Sequence, residues 1–237
     1  MSVSSPRRLG YVISGREQYG PRRAALGLCD ELRARGWAVH IYAIEDGPFA
    51  RELREQRYPC DALSERGIPL VGGSPAARAA GALRMLRGAR ALRAPLAQRI
   101  ARDRVDLLHV RWPNLVAIAG HAAHSAGVPT IWQLPNIVGD GHPFDLNKRF
   151  FRRLCRTRSV LPLGNSLYTA RTLGGDIEPR FLHLAVDQTL FDPDRYTPGV
   201  DGAPTRADVG LPDGAIVLGI FARISPQKGA DRIARAI

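Results

Sequence analysis

Arg223 and Lys228 stand five positions apart in GIFARISPQKGADRIARAI, residues 219–237, where an apolar run gives way to a loop and then to helix-forming residues. Two cations converging on a strand end and a helix start suit a diphosphate, because the open N–H groups of a helix N-terminus also favour an anion. Arginine can grip two oxygens in a planar fork, whereas lysine supplies a mobile point charge. Lys148 and Lys228 are the only lysines among 34 basic residues, so a lysine here marks the point charge itself as useful. The plainer alternative is a pair of solvated surface cations. Gly20, in EQYGPRRAAL, is the other position of interest. It sits between an apolar run and a helical pattern, where a glycine lets the backbone approach a ligand, although a tight turn alone also wants one. GREQYG lacks the close glycine pair of dinucleotide-binding loops.

The elements that must carry these residues read as alternating strands and helices. LGYVISG (9–15) is a buried strand by its continuous apolar run, and RRAALGLCDELRARG follows with Ala24, Ala25, Leu28, Cys29 and Leu32 on one helical face. Gly36 stops that helix, and WAVHIYAIE is the next strand. A strand, helix and strand in so short a span make a crossover unit, which requires a parallel sheet. The pattern recurs. VDLLHV is a strand, NLVAIAGHAAHSAG a helix with Leu115, Ile118, Ala119 and Ala122 inward, and VPTIWQL another strand. DLNKRFFRRLCRTRS and SLYTARTLG read as helices on either side of the strand SVLPLGNS, and RFLHLAVD closes the series. The expected fold class is therefore α/β, a doubly wound parallel sheet. From Asp187 a proline-, glycine- and aspartate-rich stretch reads as a connection, and AIVLGIFA starts a fresh strand. The resulting division is 1–187 for the first domain, 188–213 for a linker and 214–237 for the first strand–helix unit of an incomplete second α/β domain.

Composition narrows the classes. The chain has 237 residues, 45% hydrophobic and 24% charged, which is ordinary for a globular protein. No apolar run approaches the roughly 18–20 residues a membrane span needs, and MSVSSPRRLGYVISG has too short an apolar stretch for a signal peptide. Cys29, Cys60 and Cys155 share no metal-ligand spacing and read as buried reduced thiols, which points to the cytoplasm. The net charge of +12 fits attraction to nucleic acid, anionic lipid or a phosphate-bearing small molecule without choosing among them. In 74–104, Ala82, Met85, Leu86, Ala89, Leu92 and Leu96 form an inward stripe while Arg84, Arg87, Arg90 and Arg93 recur every third residue. That segment is either a solvated face or a basic amphipathic helix lying on anionic headgroups. No aromatic stacking set accompanies the arginines, so nucleic acid is not expected as a partner.

Several motifs together resemble one family. YGPRRAALGLCDELRARGWAVHIYA, DLLHVRWP, AGVPTIWQL, GNSLYTARTL, HLAVDQTLFDP and, most specifically, IFARISPQKGADRIARAI resemble the retaining GT-B glycosyltransferases classed as family four. The resemblance implies sugar transfer from a nucleotide-sugar donor, with retention of anomeric configuration, to a glycan, lipid-linked or small-molecule acceptor. It implies no cofactor, the nucleotide-sugar being a substrate, and no metal. By position Arg223 and Lys228 would hold the departing diphosphate, and Gly20 would line the cleft from the opposite, acceptor-side domain. Tyr19 replaces the first glycine of the family's usual pair, and Pro135 and Asn136 follow the strand after which a histidine is common, so no catalytic histidine is assigned. His109 reads as a core residue, His121 and His124 as packing or surface residues, and His142 stays a loose candidate. The family's E-x(7)-E element lies beyond this stretch of sequence, so the expectation is a fragment that is inactive alone and sits in the cytoplasm, with contact at the inner membrane face. Two alternatives are a sugar-nucleotide epimerase, which shares the doubly wound sheet, and a non-catalytic basic module binding anionic lipid or nucleic acid through 74–104.

Overall fold

RLGYVI has no helical stripe, and its apolar residues are buried on both faces of β1 (Arg8–Ile13) at the centre of a parallel sheet. The computed structural model describes residues 6–67, 75–139, 145–186, 188, 191–192, 202–219, 221–222, 224 and 228–236. Contacts divide the chain into two units, Met1–Leu184 and Ala185–Ile237. In the first, α1 (Tyr19–Ala34), β2 (Ala38–Ala43), α2 (Pro48–Glu55) and β3 (Cys60–Ala62) follow β1. Helices α3 (Pro75–Ala91) and α4 (Arg93–Arg102) lead to β4 (Leu107–Val110), α5 (Pro113–Ser125), β5 (Thr130–Leu134), α6 (Leu146–Thr157), β6 (Val160–Gly164) and α7 (Leu167–Arg171). All five strand pairs are parallel, and the order is β3-β2-β1-β4-β5-β6. The doubly wound α/β sheet read from the sequence is therefore the observed one.

Strand alternation sends side chains to two cores. Val12, Leu108, Val110 and Trp132 pack with Leu96 and Ile100 of α4, Leu115 and Ile118 of α5 and Leu154 of α6. Tyr11, Ile13 and Ile41 pack on the other face with Ala25 and Cys29 of α1 and Phe49 and Leu53 of α2. Each fully buried large side chain contributes about 1.5–3 kcal/mol. Cys29, Cys60 and Cys155 are all free and buried, and burial pushes the Cys29 thiol up to about 12. Gly36 ends α1 as expected: its φ is +80°, Trp37 N–H donates to the Leu32 carbonyl at 2.9 Å and Gly36 N–H to Arg33 at 3.0 Å.

Four sequence expectations need correction. The segment 74–104 is not one helix: Pro95 has no N–H to give the Ala91 carbonyl and its ring crowds that position, so α3 ends there and α4 begins. Leu86, expected inward, is 61% exposed, whereas Leu92 is half-buried and Leu96 fully buried. RFLHLAVD forms no strand but a single parallel bridge from Phe181 to Gly164. In the second unit, residues 215–219 form no strand either. A strand is held by its ladder, and no paired strand is present among the described residues of that unit. The unit has a short 3₁₀ turn (Ala207–Val209), anchored by Thr205 Oγ1 donating to Asp208 at 2.7 Å, and ends in α8 (Ala230–Ala236).

Candidate functional site

The strand order reverses between β1 and β4, so the loops leaving their carboxyl ends diverge to opposite faces and open a crevice there. Residues 14–18 leave β1, and Arg111 and Trp112 leave β4. Glu17 joins the two loops. Its carboxylate, only 7% exposed, accepts Ser14 N–H at 2.6 Å, Gly15 N–H at 2.9 Å and the Trp112 indole Nε1–H at 3.0 Å. A carboxylate so held orders the crevice floor, since each charge-assisted bond is worth more than a neutral one. The first loop is also clamped to the β2 side. Gly15 has φ +97°, and its carbonyl accepts the Phe49 N–H of α2 at 3.0 Å. A Cβ on Gly47 would run into the Gly15 carbonyl, and one on Gly15 into the Glu45 carbonyl, so both positions need glycine. Glu45, itself buried, pairs with Arg16 of the same loop.

Period-two alternation places His109 and Arg111 on the same face of β4 as Tyr11 of β1. The His109 ring meets Tyr11 edge-on at 4.6 Å between centroids. Burial, with the Arg111 charge adding to it, lowers the His109 pKa to about 4, so the imidazole is neutral at physiological pH. Burial raises Tyr11 well above the usual phenol range. Arg111 is 9% exposed, and its Nε and Nη1 have no hydrogen-bond partner among the described residues. On the other face of the edge a hollow of about 320 Å³ opens between Pro113, Trp132, Pro135, Asn136, Asn147 and Phe151. Its wall is fixed by Asn147 Nδ2–H donating to the Gly139 carbonyl at 2.8 Å and Asn165 Nδ2–H to Pro135 at 2.9 Å.

Gly20 is the second residue of α1, exposed at this same carboxyl edge, and a Cβ there would meet nothing within 4 Å. Tyr19 before it takes φ +50°, a left-handed conformation that costs an L-residue about 1–2 kcal/mol. That is the backbone reason a glycine would suit the position. Lys228 is exposed, in the turn before α8, and belongs to the second unit, whereas Gly20 belongs to the first. Arg223 and His142 lie outside the described residues. His121 accepts Arg158 Nε–H at 2.8 Å on Nδ1, and His124 is exposed, so both are the packing or surface residues expected. Glu17 and Arg111 went unread in the sequence. The available signal was a charged residue immediately beyond an apolar strand run, as in DLLHVRWP. Among the described residues there is no cluster of three His, Cys, Asp or Glu that could hold a metal ion.

A family model described as "Glycosyl transferase 4-like domain" matches residues 19–161. None of the curated proteins compared with the chain matches it. Among solved structures, Anabaena Alr3699/HepE in complex with UDP is similar with a TM-score of 0.69 and 20% identity, over 97% of this chain and 57% of that one. A glycosyltransferase from Rickettsia africae gives 0.55 and 16% over 81% and 47%, and MurG from Acinetobacter baumannii 0.50 and 18% over 75% and 45%. At these identities the likeness is one of fold. The chain spans about half the length of these structures.

Proposed function

The chain belongs to the glycosyl transferase 4-like domain family, and from that premise we propose that it forms the acceptor-side part of a nucleotide-sugar glycosyltransferase. The family match carries this reading: it runs from the first residue of α1 into β6 and so takes in Gly20 and the β4 loop with Arg111 and Trp112, which form one side of the crevice. Similar structures recorded with UDP and with UDP-glucose support a nucleotide-sugar as the donor. The order of events we infer is binding of the acceptor against the β1 and β4 loops, approach of the donor from the C-terminal side, and transfer with retention at the anomeric carbon. Arg223 and Lys228 would meet the charge that grows on the departing diphosphate, a role for fixed electrostatics rather than proton transfer. Gly20, with open space around its α-carbon, would let the donor or acceptor approach α1 closely. The acceptor would be a glycan, a lipid-linked sugar or a small molecule.

The test uses these residues within a chain long enough to hold both domains. A panel of nucleotide-sugars is offered, and the product's anomeric configuration is read by proton NMR. Transfer with retention is expected; an inverted product overturns the retaining assignment, and no turnover with any donor overturns the transferase reading. Arg223→Ala and Lys228→Ala should each slow turnover by a factor corresponding to about 3 kcal/mol while the melting temperature holds. Rates within twofold of the parent for both variants remove them from the diphosphate site.

A second reading concerns where the enzyme works. Arg84, Arg87 and Arg90 are all exposed on α3, and Leu86 among them is 61% exposed. Cations flanking a solvent-facing leucine favour peripheral contact with an anionic membrane surface. Among the described residues no helix is long and apolar enough to cross a membrane.

A further inference from the structure

We propose that Arg111 is an oxyanion receptor, holding a phosphate or carboxylate group of a substrate in the crevice beyond the carboxyl end of β4. A guanidinium is charged at every accessible pH and presents five N–H donors, so burying one without partners is costly. Arg111 is nine-tenths buried, yet it makes no hydrogen bond and no ion pair with any described residue, and its Nε and Nη1 are each without a partner. The side-on grip of an arginine uses Nε with one Nη, and the end-on grip uses both Nη groups. Each grip therefore retains a donor with nothing to bind.

No neighbour neutralises the charge by contact. Glu17 is the acidic group of this crevice, but its oxygens are taken by Ser14 N–H, Gly15 N–H and the Trp112 indole. His109 is neutral and Tyr11 is held as the phenol, so neither supplies an anion. Leaving an ion uncompensated in the interior costs several kcal/mol, and proteins retain such a group where a bound partner completes it. The next element adds to the same demand. Trp112 is the N-cap of α5 and gives no side-chain cap, and Pro113 follows, so a 13-residue helix opens its positive end one residue beyond Arg111. Neutral sugar hydroxyls could accept hydrogen bonds here but could not balance the charge. An oxyanion does both.

The source of that oxyanion rests on the transferase reading: the diphosphate of the donor, or an acidic group on the acceptor. The experiment uses the 237-residue chain labelled with ¹⁵N, the Arg111 Nε–H signal being assigned by its loss in Arg111→Met. Inorganic phosphate, UDP and glucuronate are added in turn at constant ionic strength. We expect a saturable shift of that signal and of the Trp112 indole, and about tenfold or more weakening of the phosphate response of the indole in Arg111→Met. Arg111→Lys, which keeps the charge and loses the fork, should bind between the two and serves if the methionine variant does not fold. A UDP response tighter than phosphate assigns the donor, and a glucuronate response matching phosphate with no gain from UDP assigns the acceptor. An Arg111 signal that none of the three moves overturns the proposal. A protein extended to both domains that transfers sugar while this signal stays still sinks the receptor alone. A saturable shift in an extended protein that transfers nothing sinks the transferase reading and leaves the receptor standing.

Discussion

At the scale of single residues, His109 shows what this crevice asks of its lining. Burial and the nearby Arg111 charge hold its pKa at about 4, below the 6.5 of an unfolded chain, and its Nδ1 has no hydrogen-bond partner. The sign follows directly. Between those two values the unfolded state binds a proton that the folded state refuses, so stability is full above about pH 6.5 and falls as pH drops toward 4. The loss for this one group reaches about 3 kcal/mol. Burial, with the Arg93 and Arg158 charges adding to it, lowers His121 to about 4 as well, so these two histidines together should take up about two protons on unfolding in this window. Urea unfolding of His109→Gln from pH 4 to 7 should show a slope reduced by about one proton relative to the parent. An unchanged slope means His109 is solvated and the face it shares with Arg111 is open to water.

At the scale of elements, α3 and α4 divide their labour. Leu96 and Ile100 fasten α4 to the core, while α3 carries Arg84, Arg87 and Arg90 in solvent. Arg93 is half-buried with its Nε unpartnered, and it lines a hollow of about 540 Å³ with Arg90, Gln98 and Ser125, so it belongs with the fold rather than with the exposed set. Changing Arg84, Arg87 and Arg90 together to glutamine should leave the melting temperature alone and weaken sedimentation with anionic vesicles. Binding by the parent should itself fade as the screening length shrinks from about 10 Å at 0.1 M salt to about 3 Å at 1 M. Unchanged sedimentation of the triple variant returns α3 to an ordinary solvated face. The same elements show what was legible in the sequence. β1, α1, β2, β4, α5, β5, α6 and β6 were all readable, because each has an apolar run or stripe long enough to declare its period. α2 and β3 were not. PFARELRE and CDA are too short for a period, and their places come from Phe49 and Leu53 reaching the core and Cys60 pairing with Ile41. Gly20 was legible as an edge residue from strand-then-helix order alone. Glu17 and Arg111 are charged, and only the meeting of two loops from distant parts of the chain buries them.

At the scale of the whole molecule, the two units differ in what they bury. The first has a core on each face of its sheet. In the second, Ile216, Phe221 and Ile224 are more than nine-tenths exposed and Leu218 is 67% exposed. Ordering the backbone costs roughly 1–2 kcal/mol per residue, and side chains left in water return little of it. The described residues of the second unit therefore bury too little to hold Lys228 in a fixed place, and a charge that is not preorganised stabilises an anion poorly. Limited proteolysis of the 237-residue chain should cut between Ala185 and Gly219 and leave a resistant fragment holding β1 through α7. The fragment should unfold cooperatively, since it holds the core on each face of the sheet. The uncut chain should transfer no sugar from any nucleotide-sugar offered. Resistance to cleavage between those residues, together with transfer by the chain alone, would show instead that the second unit folds and binds donor as it stands.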